Sequence, residues 1–98
     1  MTPEGKVKDK LKAHLRQRGF YYFFPVQTGY GATSLDVLAC QYGQFYAYEC
    51  KADGKDLTPR QKIVARQLKA SGARVFKVTL VNGKLEFTPC GLTEKGAS

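Results

Sequence analysis

The sequence predicts an α/β fold: a mixed β-sheet flanked by two helices and extended by one C-terminal hairpin strand. Three observations predict it: two segments with apolar residues at helical spacing, five strand-like segments in which apolar residues alternate or aromatic residues cluster, and turn-forming residues between them. The order along the chain is helix, three strands, helix, two strands. A chain of 98 residues suits a single domain spanning residues 1–98, because domains commonly contain about 100–150 residues.

The first helix is predicted to begin at Thr2, a cap residue, and to end at Gly19. Val7, Leu11 and Leu15 stand at four-residue spacing and form an apolar stripe that would pack on the sheet. Basic residues cover most of the remaining helix surface: Lys6, Lys8, Lys10, Lys12, Arg16 and Arg18. Such a run is typical of a solvated helix face.

Residues 34–51 are predicted to form a hairpin of two apolar strands joined by a tight turn at Tyr42-Gly43. With a two-residue turn, counting outward along both strands places Asp36 directly opposite Glu49. Because side chains alternate along a strand, Lys51 is expected on the same face as Glu49. The hairpin therefore brings three charges together on one side of the sheet.

Charged residues are unusual in apolar strands unless something binds them. The opposed carboxylates of Asp36 and Glu49 repel each other, so a divalent cation is their natural counter-ion and Lys51 is a partial one. Phosphodiester hydrolysis needs an attacking water, a neutralised phosphate and a stabilised leaving oxygen, and divalent ions on carboxylates can serve all three needs. The alternative is that the three residues form an ordinary surface ion-pair cluster.

Three further segments predict strands, at residues 20–26, 74–81 and 84–88. Pro25 marks the end or an edge of the first of them, and a glycine-containing loop follows at residues 27–32. Asn82-Gly83 is a strong hairpin-turn dipeptide between the other two. Residues 89–98 are small and polar, which predicts a flexible tail.

A capping box predicts the start of the second helix, with Thr58 as the cap, Pro59 in the first position and Gln61 three residues on. Its buried side is predicted to consist of Ile63, Val64, Gln67 and Leu68. The helix is predicted to end at Ser71-Gly72. The connection from Lys51 through this helix to the strand at 74–81 is long enough for a parallel, right-handed crossover.

The chain carries 16 Lys and Arg against 8 Asp and Glu, a net charge of +8. This excess favours a polyanionic partner, most commonly nucleic acid, and a protein that is merely basic is the alternative. The cysteines are an odd number without a CxxC pair, which favours a reducing compartment over a disulfide framework. No apolar run is long enough to span a bilayer and no signal peptide opens the chain, so we expect a soluble, intracellular protein.

Asp36 followed by Glu49-Cys50-Lys51 resembles the D…ExK signature of the PD-(D/E)XK nuclease superfamily. The details are similar to its VRR-NUC branch, the virus-type replication-repair nucleases, and in particular to minimal stand-alone viral or phage members. The ordered pattern runs from Glu4 to Val78 and includes Gly29-Tyr30-Gly31, Gly43, Leu57-Thr58-Pro59-Arg60-Gln61 and Gly72-Ala73. Leu35 departs from it, since many members have proline before the aspartate, but proline supplies no ligand.

The resemblance implies a restriction-endonuclease-like αβββαβ core and a DNA endonuclease that depends on Mg²⁺ or Mn²⁺. By position, it implies that Asp36, Glu49 and the Cys50 carbonyl bind the metal. It implies that Lys51 is the catalytic lysine, that Gln61 acts beside it, and that the first-helix glutamate, Glu4, is a further metal ligand. A homodimer that acts on branched DNA, such as junctions or flaps, is the family tendency, in the cytoplasm of a cell or of an infected host.

Several of these residues have simpler interpretations. Gln61 could be only a capping-box residue, and Glu4 could only complement the positive end of the helix dipole. The cations expected to contact DNA phosphates could equally be solvated; they are Lys6, Lys55, Arg60 and Lys62. The alternative function is a non-catalytic, basic nucleic-acid-binding module that retains the nuclease fold. A degenerate copy of that kind would be expected to lack Lys51 or one of the two acids.

Overall fold

The fold is built around one five-stranded sheet in the computed structural model, which describes residues 1–26 and 34–90. The elements in chain order are α1 (Pro3–Gln17), β1 (Tyr21–Phe23), β2 (Val37–Gln41), β3 (Gln44–Cys50), α2 (Pro59–Ala70), β4 (Arg74–Val81) and β5 (Lys84–Pro89). The strands lie side by side in chain order; β3 and β4 are parallel, and the other neighbouring pairs are antiparallel. The predicted mixed sheet and the parallel crossover through α2 are confirmed.

Both helices begin where the sequence predicts. The Thr2 hydroxyl accepts a hydrogen bond from the Gly5 N–H at 3.0 Å. At the start of α2, the Thr58 hydroxyl accepts from the Gln61 N–H at 3.2 Å, and the Gln61 side-chain oxygen accepts from the Thr58 N–H at 2.9 Å. This reciprocal capping box gives partners to two backbone donors at the helix start.

The two helices cover opposite faces of the sheet, and each face has its own core. The apolar stripe of α1 packs in a cluster with alternate strand residues; the buried members are Val7, Leu11, Leu15, Val37, Ala39, Tyr48, Cys50 and Val78. The α2 face has a second cluster, whose buried members are Leu35, Ala47, Leu57, Val64, Ala65, Ala73 and Val75. Because side chains alternate along β3, Glu49 shares the face of Ala47 and lies on the α2 side.

The β2–β3 hairpin has the predicted register. Tyr42 and Gly43 form the turn with φ values of 51° and 78°, and Gln41 pairs with Gln44. Positive φ at both central residues is the signature of a type I′ turn, whose twist matches that of the flanking strands. The pairing continues to Val37 opposite Tyr48, so the next residues outward are Asp36 and Glu49.

Two element boundaries differ from the sequence prediction. The strand expected over 20–26 is only Tyr21–Phe23 and stops before Pro25, since proline has no N–H for the ladder and restricts the residue before it. The flexible tail expected from residue 89 is wrong at its start. Pro89 pairs with Phe76 at the end of β5, and the Cys90 N–H donates to a β4 carbonyl at 3.0 Å. Residues 91–98 and the loop predicted at 27–32 lie outside the described residues.

The buried side of α2 also differs in detail. Val64 and Ala65 are buried and Leu68 is partly buried, whereas Ile63 is 49% exposed and Gln67 is exposed. The helix is rotated so that the smaller Ala65 faces the sheet, which leaves Ile63 at the margin of the contact. Across residues 1–26 and 34–90, neither helix has the length and apolar character needed to cross a membrane.

Candidate active site

The Asp36 and Glu49 side chains meet at the end of the sheet, where β2 begins and β3 ends. The Asp36 N–H donates to Glu49 Oε1 at 3.2 Å, and the Cys50 N–H donates to Asp36 Oδ2 at 3.1 Å. The Glu49 side chain is 5% exposed and that of Asp36 is 19% exposed. Two backbone hydrogen bonds therefore hold the predicted carboxylate pair, which is open to solvent on the Asp36 side.

The carboxyl of Glu49 has an altered acidity. The pKa of Glu49 is raised to about 8, first by burial and then by the negative charge of Asp36, while the Lys51 ammonium partly opposes the rise. Burial, followed by the charges of the two acids, also raises the pKa of the Cys50 thiol to about 12. A buried carboxyl shifted by a specific charged neighbour is more common at functional sites than elsewhere.

Lys51 directly follows the last residue of β3. Its N–H donates to the Val78 carbonyl at 2.9 Å, which continues the β3–β4 pairing by one residue. Its side chain is 10% exposed, and Nζ lies 4.0 Å from Glu49 Oε2. The structure thus brings Lys51 to Glu49, as strand alternation predicts, and holds an ammonium group where it can act on charge at the carboxylate pair.

Gln61 reaches the same carboxylate from the first turn of α2. Its Nε2 donates to Glu49 Oε2 at 3.1 Å while its Oε1 accepts from the Thr58 N–H. The sequence left open whether Gln61 is a helix cap or an active-site group. Its amide is both, since it completes the capping box and donates a hydrogen bond to Glu49.

Two lysines that the sequence did not single out also lie at this site. Lys8 Nζ is 3.6 Å from Asp36 Oδ1, reached from α1. Lys77 of β4 pairs in register with Glu49 on the neighbouring parallel strand, and its Nζ donates to the Lys55 carbonyl at 3.0 Å. Lys77 thereby fixes the loop between β3 and α2. Lys8 follows Val7 and so flanks the apolar stripe of α1. That position was the feature of the sequence that could have indicated that Lys8 lies near the sheet.

Glu4 is not brought to the carboxylate pair as a third ligand. It is exposed in the first turn of α1. In residues 1–26 and 34–90, no three His, Cys, Asp or Glu side chains are grouped so that they could hold a metal ion. The charge of Glu4 still reaches the site, since it contributes to the raised pKa of Cys50.

The predicted DNA-contacting cations fall in two places. Lys55, Arg60 and Lys62 are exposed in the loop before α2 and in its first turn, beside Gln61, and Lys62 Nζ lies 3.1 Å from Asp56 Oδ2. Lys6 instead lines a groove with Leu80, on the opposite flank of α1 from Lys8, because residues two apart on a helix differ by about 200° in direction. The Gly29-Tyr30-Gly31 segment lies outside the described residues.

The donor atoms at the site fit a hard divalent cation. Asp36 and Glu49 offer carboxylate oxygens, and the Cys50 backbone offers a carbonyl oxygen; Mg²⁺ and Mn²⁺ prefer such ligands. Among residues 1–26 and 34–90, two carboxylates lie at the site, so the remaining positions around an ion would belong to water and phosphate oxygens, which is the usual mode for Mg²⁺.

Comparison with protein-family models and with curated proteins found no match for this chain. A solved structure that it resembles is that of Hjc from Archaeoglobus fulgidus, a Holliday junction resolvase from an archaeal hyperthermophile. The TM-score is 0.72 at 17% sequence identity, covering 96% of this chain and 83% of that chain. The compact α/β arrangement of a mixed five-stranded sheet with two helices is thus a resolvase-like nuclease fold, and the predicted fold class is confirmed.

Proposed function

We propose that this chain is a metal-dependent DNA endonuclease of the PD-(D/E)XK superfamily. The observation that carries the proposal is the buried constellation of Asp36, Glu49 and Lys51 at the end of β3, with the Gln61 amide bonded to Glu49. The resolvase-like fold and the net charge of +8 support it. Fold similarity alone does not fix an activity, so the proposal depends on these side chains.

In the proposed site, Asp36, Glu49 and the Cys50 carbonyl would hold Mg²⁺ or Mn²⁺. Such an ion supplies a more acidic water and neutralises phosphate charge. Lys51 would orient the attacking water or balance the charge that develops on the phosphate. Gln61 would keep the Glu49 carboxylate in one orientation, and Glu4 would contribute only through its charge or through a water.

The proposed substrate is DNA, including branched DNA. Hjc is described as a Holliday junction resolvase, and the D…ExK signature formed by Asp36, Glu49 and Lys51 is the second support for a DNA substrate. The cations closest in sequence to the site would contact the DNA phosphates: Lys55, Arg60 and Lys62, with Lys6 farther along α1. Phosphate contacts position the duplex without reading its sequence, which suits a nuclease that recognises DNA shape.

A homodimer is part of the proposal. Tyr21, Phe23 and Phe45 are 73%, 49% and 39% exposed, and strand pairing places all three on the α2 face of the sheet. Helix α2 packs against β4, so these aromatic side chains of β1 and β3 extend beyond the area that the helix contacts. We call Tyr21, Phe23 and Phe45 the aromatic face. A second copy packed there would bury it and give the two active sites that paired cuts in a junction require.

The free cysteines Cys40, Cys50 and Cys90 support a reducing, intracellular compartment for this enzyme. Cleavage would then take place in the cytoplasm.

The test is a cleavage assay on linear, flap and four-way-junction DNA with Mg²⁺, with Mn²⁺ and with EDTA. We expect metal-dependent cleavage by the wild-type protein. Lys51→Ala and Asp36→Asn should bind DNA as well as wild type but cut at least about 100-fold more slowly. Lys69→Ala, which removes an exposed lysine at the end of α2, is the matched control and should cut normally.

The competing proposal, a non-catalytic nucleic-acid-binding module, rests on the basic charge alone. It predicts salt-sensitive DNA binding without cleavage on any substrate with either metal. Equal cleavage by wild type and both active-site variants would instead indicate a contaminating nuclease and would remove the support for this site.

A further inference from the structure

Each of the two carboxylates of the active site has a lysine side chain beside it. Lys51 lies 4.0 Å from Glu49 Oε2, and Lys8 lies 3.6 Å from Asp36 Oδ1. Each acid therefore has its own ammonium neighbour.

The two ammonium groups differ in their freedom to move. The Lys51 side chain is 10% exposed and lies at the end of a buried strand, whereas the Lys8 side chain is 41% exposed on the surface of α1. A buried ammonium group that is separated from its carboxylate is left without a compensating charge or hydration, but an exposed one can turn into water at little cost. Lys8 is thus the cation that can leave.

A divalent ion at the carboxylate pair would repel both lysines, and the repulsion acts over a few ångströms in a partly buried setting. From the ion pair and this difference in exposure, we infer that Lys8 is a counter-ion that occupies Asp36 in the metal-free protein and competes with the divalent ion for that carboxylate. Lys8 would therefore set how tightly the site binds metal. This inference rests on the proposed metal-dependent function.

Position on the helix separates Lys8 from the other lysines of α1. Lys8 stands on the flank that faces Asp36, while Lys10 is exposed and lines a groove beside Leu80 on the opposite flank. Lys10→Met therefore matches Lys8→Met in helix, residue type and change in net charge. Only the contact with Asp36 differs between the two variants.

The experiment measures Mn²⁺ binding by isothermal titration calorimetry, without DNA, for wild type, Lys8→Met and Lys10→Met. Removal of the competing ammonium should tighten Mn²⁺ binding by about three- to fivefold, the range expected for a partly exposed ion pair. Lys10→Met should bind as wild type does. Equal affinities in wild type and Lys8→Met would overturn the inference, and so would an equal gain in Lys10→Met, which would indicate only a change in net charge.

A second measurement does not depend on metal. In EDTA, urea unfolding of wild type, Lys8→Met, Asp36→Asn and the double variant forms a double-mutant cycle. Asparagine keeps an oxygen for the Cys50 N–H but removes the charge. If the pair interacts, the change in the unfolding equilibrium constant of the double variant should differ by about threefold from the product of the changes in the two single variants. Independent effects would overturn the role of Lys8.

The two measurements distinguish failure of this inference from failure of the proposed function. If neither wild type nor Lys8→Met binds Mn²⁺, the metal-dependent function fails, and competition by Lys8 fails with it. If wild type binds Mn²⁺ and Asp36→Asn does not, the metal site stands, and the affinity of Lys8→Met decides the role of Lys8 alone.

Discussion

Gln61 joins the start of α2 to Glu49 through a single amide group. Its Nε2 donates to Glu49 Oε2 at 3.1 Å, and its Oε1 accepts from the Thr58 N–H at 2.9 Å. Because both bonds use the same planar group, the helix cap fixes the direction from which the donor approaches the carboxylate. Helix initiation and the orientation of Glu49 are therefore coupled.

Gln61→Glu should separate the two roles of this residue. Glutamate still accepts from the Thr58 N–H, so the capping box remains, but it loses the donor to Glu49 and adds a third carboxylate. We expect cleavage to fall by about 10-fold or more while the free energy of unfolding in metal buffer changes by less than about 1 kcal/mol.

Thr58→Ala is the matched control for that substitution. It removes the hydroxyl that accepts from the Gln61 N–H and should lower the free energy of unfolding by about 1 kcal/mol. Cleavage measured well below the unfolding temperature should stay near the wild-type rate. A larger loss of activity in Thr58→Ala than in Gln61→Glu would contradict a direct role for the Gln61 amide.

The raised pKa of Glu49 predicts how stability depends on pH in metal-free protein. In the folded state the pKa is about 8, above the ordinary value of 4.5, so the folded protein holds the proton more tightly than the unfolded chain does. This contribution is fully present below pH 4.5 and is lost as the pH rises through 8. Between those limits, in EDTA, we expect wild type to lose on the order of 5 kcal/mol from this group.

Urea unfolding at a series of pH values measures this loss, and Glu49→Gln is the reference because its amide does not titrate. The difference in free energy of unfolding between wild type and the variant should change with pH over that window. A constant difference would show that Glu49 ionises alike in the folded and unfolded states.

Lys55 should contribute to DNA affinity through a phosphate. Lys55→Ala should weaken duplex binding, measured by fluorescence anisotropy with EDTA present, and reduce the slope of log affinity against log salt by about 0.9. The substitution leaves the loop anchored, since Lys77 bonds to the Lys55 carbonyl and not to its side chain. Lys69→Ala is the reference for the loss of one distant charge. An unchanged slope of log affinity against log salt in Lys55→Ala would indicate that Lys55 is merely solvated.

The aromatic face should control self-association. Phe23→Ser with Phe45→Ser removes two of its three aromatic side chains without altering a buried core residue. We expect wild type to sediment as a dimer in analytical ultracentrifugation and the double variant as a monomer, because apolar contact area drives such association. A wild-type monomer across the micromolar range would contradict the dimer.

The sequence predicted those parts of the site that depend on short chain distances. Asp36 and Glu49 face each other because the Tyr42-Gly43 turn has a defined length, and the capping motif at Thr58 fixed the start of α2. Both patterns are local in sequence, so they do not depend on how the rest of the chain packs.

Lys8 and Lys77 could not be found in the same way. Lys77 meets Glu49 because two parallel strands align at a particular register, and a long crossover does not specify that register from sequence. Lys8 is one basic residue among several on α1, and only the packing of the helix on the sheet selects it. The extent of β5 was missed because Pro89 reads as a strand terminator, although it lies on an edge strand, where proline is tolerated.

The Tyr42-Gly43 turn carries no catalytic atom and lies about 20 Å along the strand from Asp36. One residue inserted there would slide β2 along β3 and draw Asp36 away from Glu49. The same insertion at Asn82-Gly83, a turn with nearly the same φ values, would shift only β5, which supplies no site residue. In a library of single-residue insertions, those at Asn82-Gly83 should therefore be tolerated, and those at Tyr42-Gly43 should abolish activity.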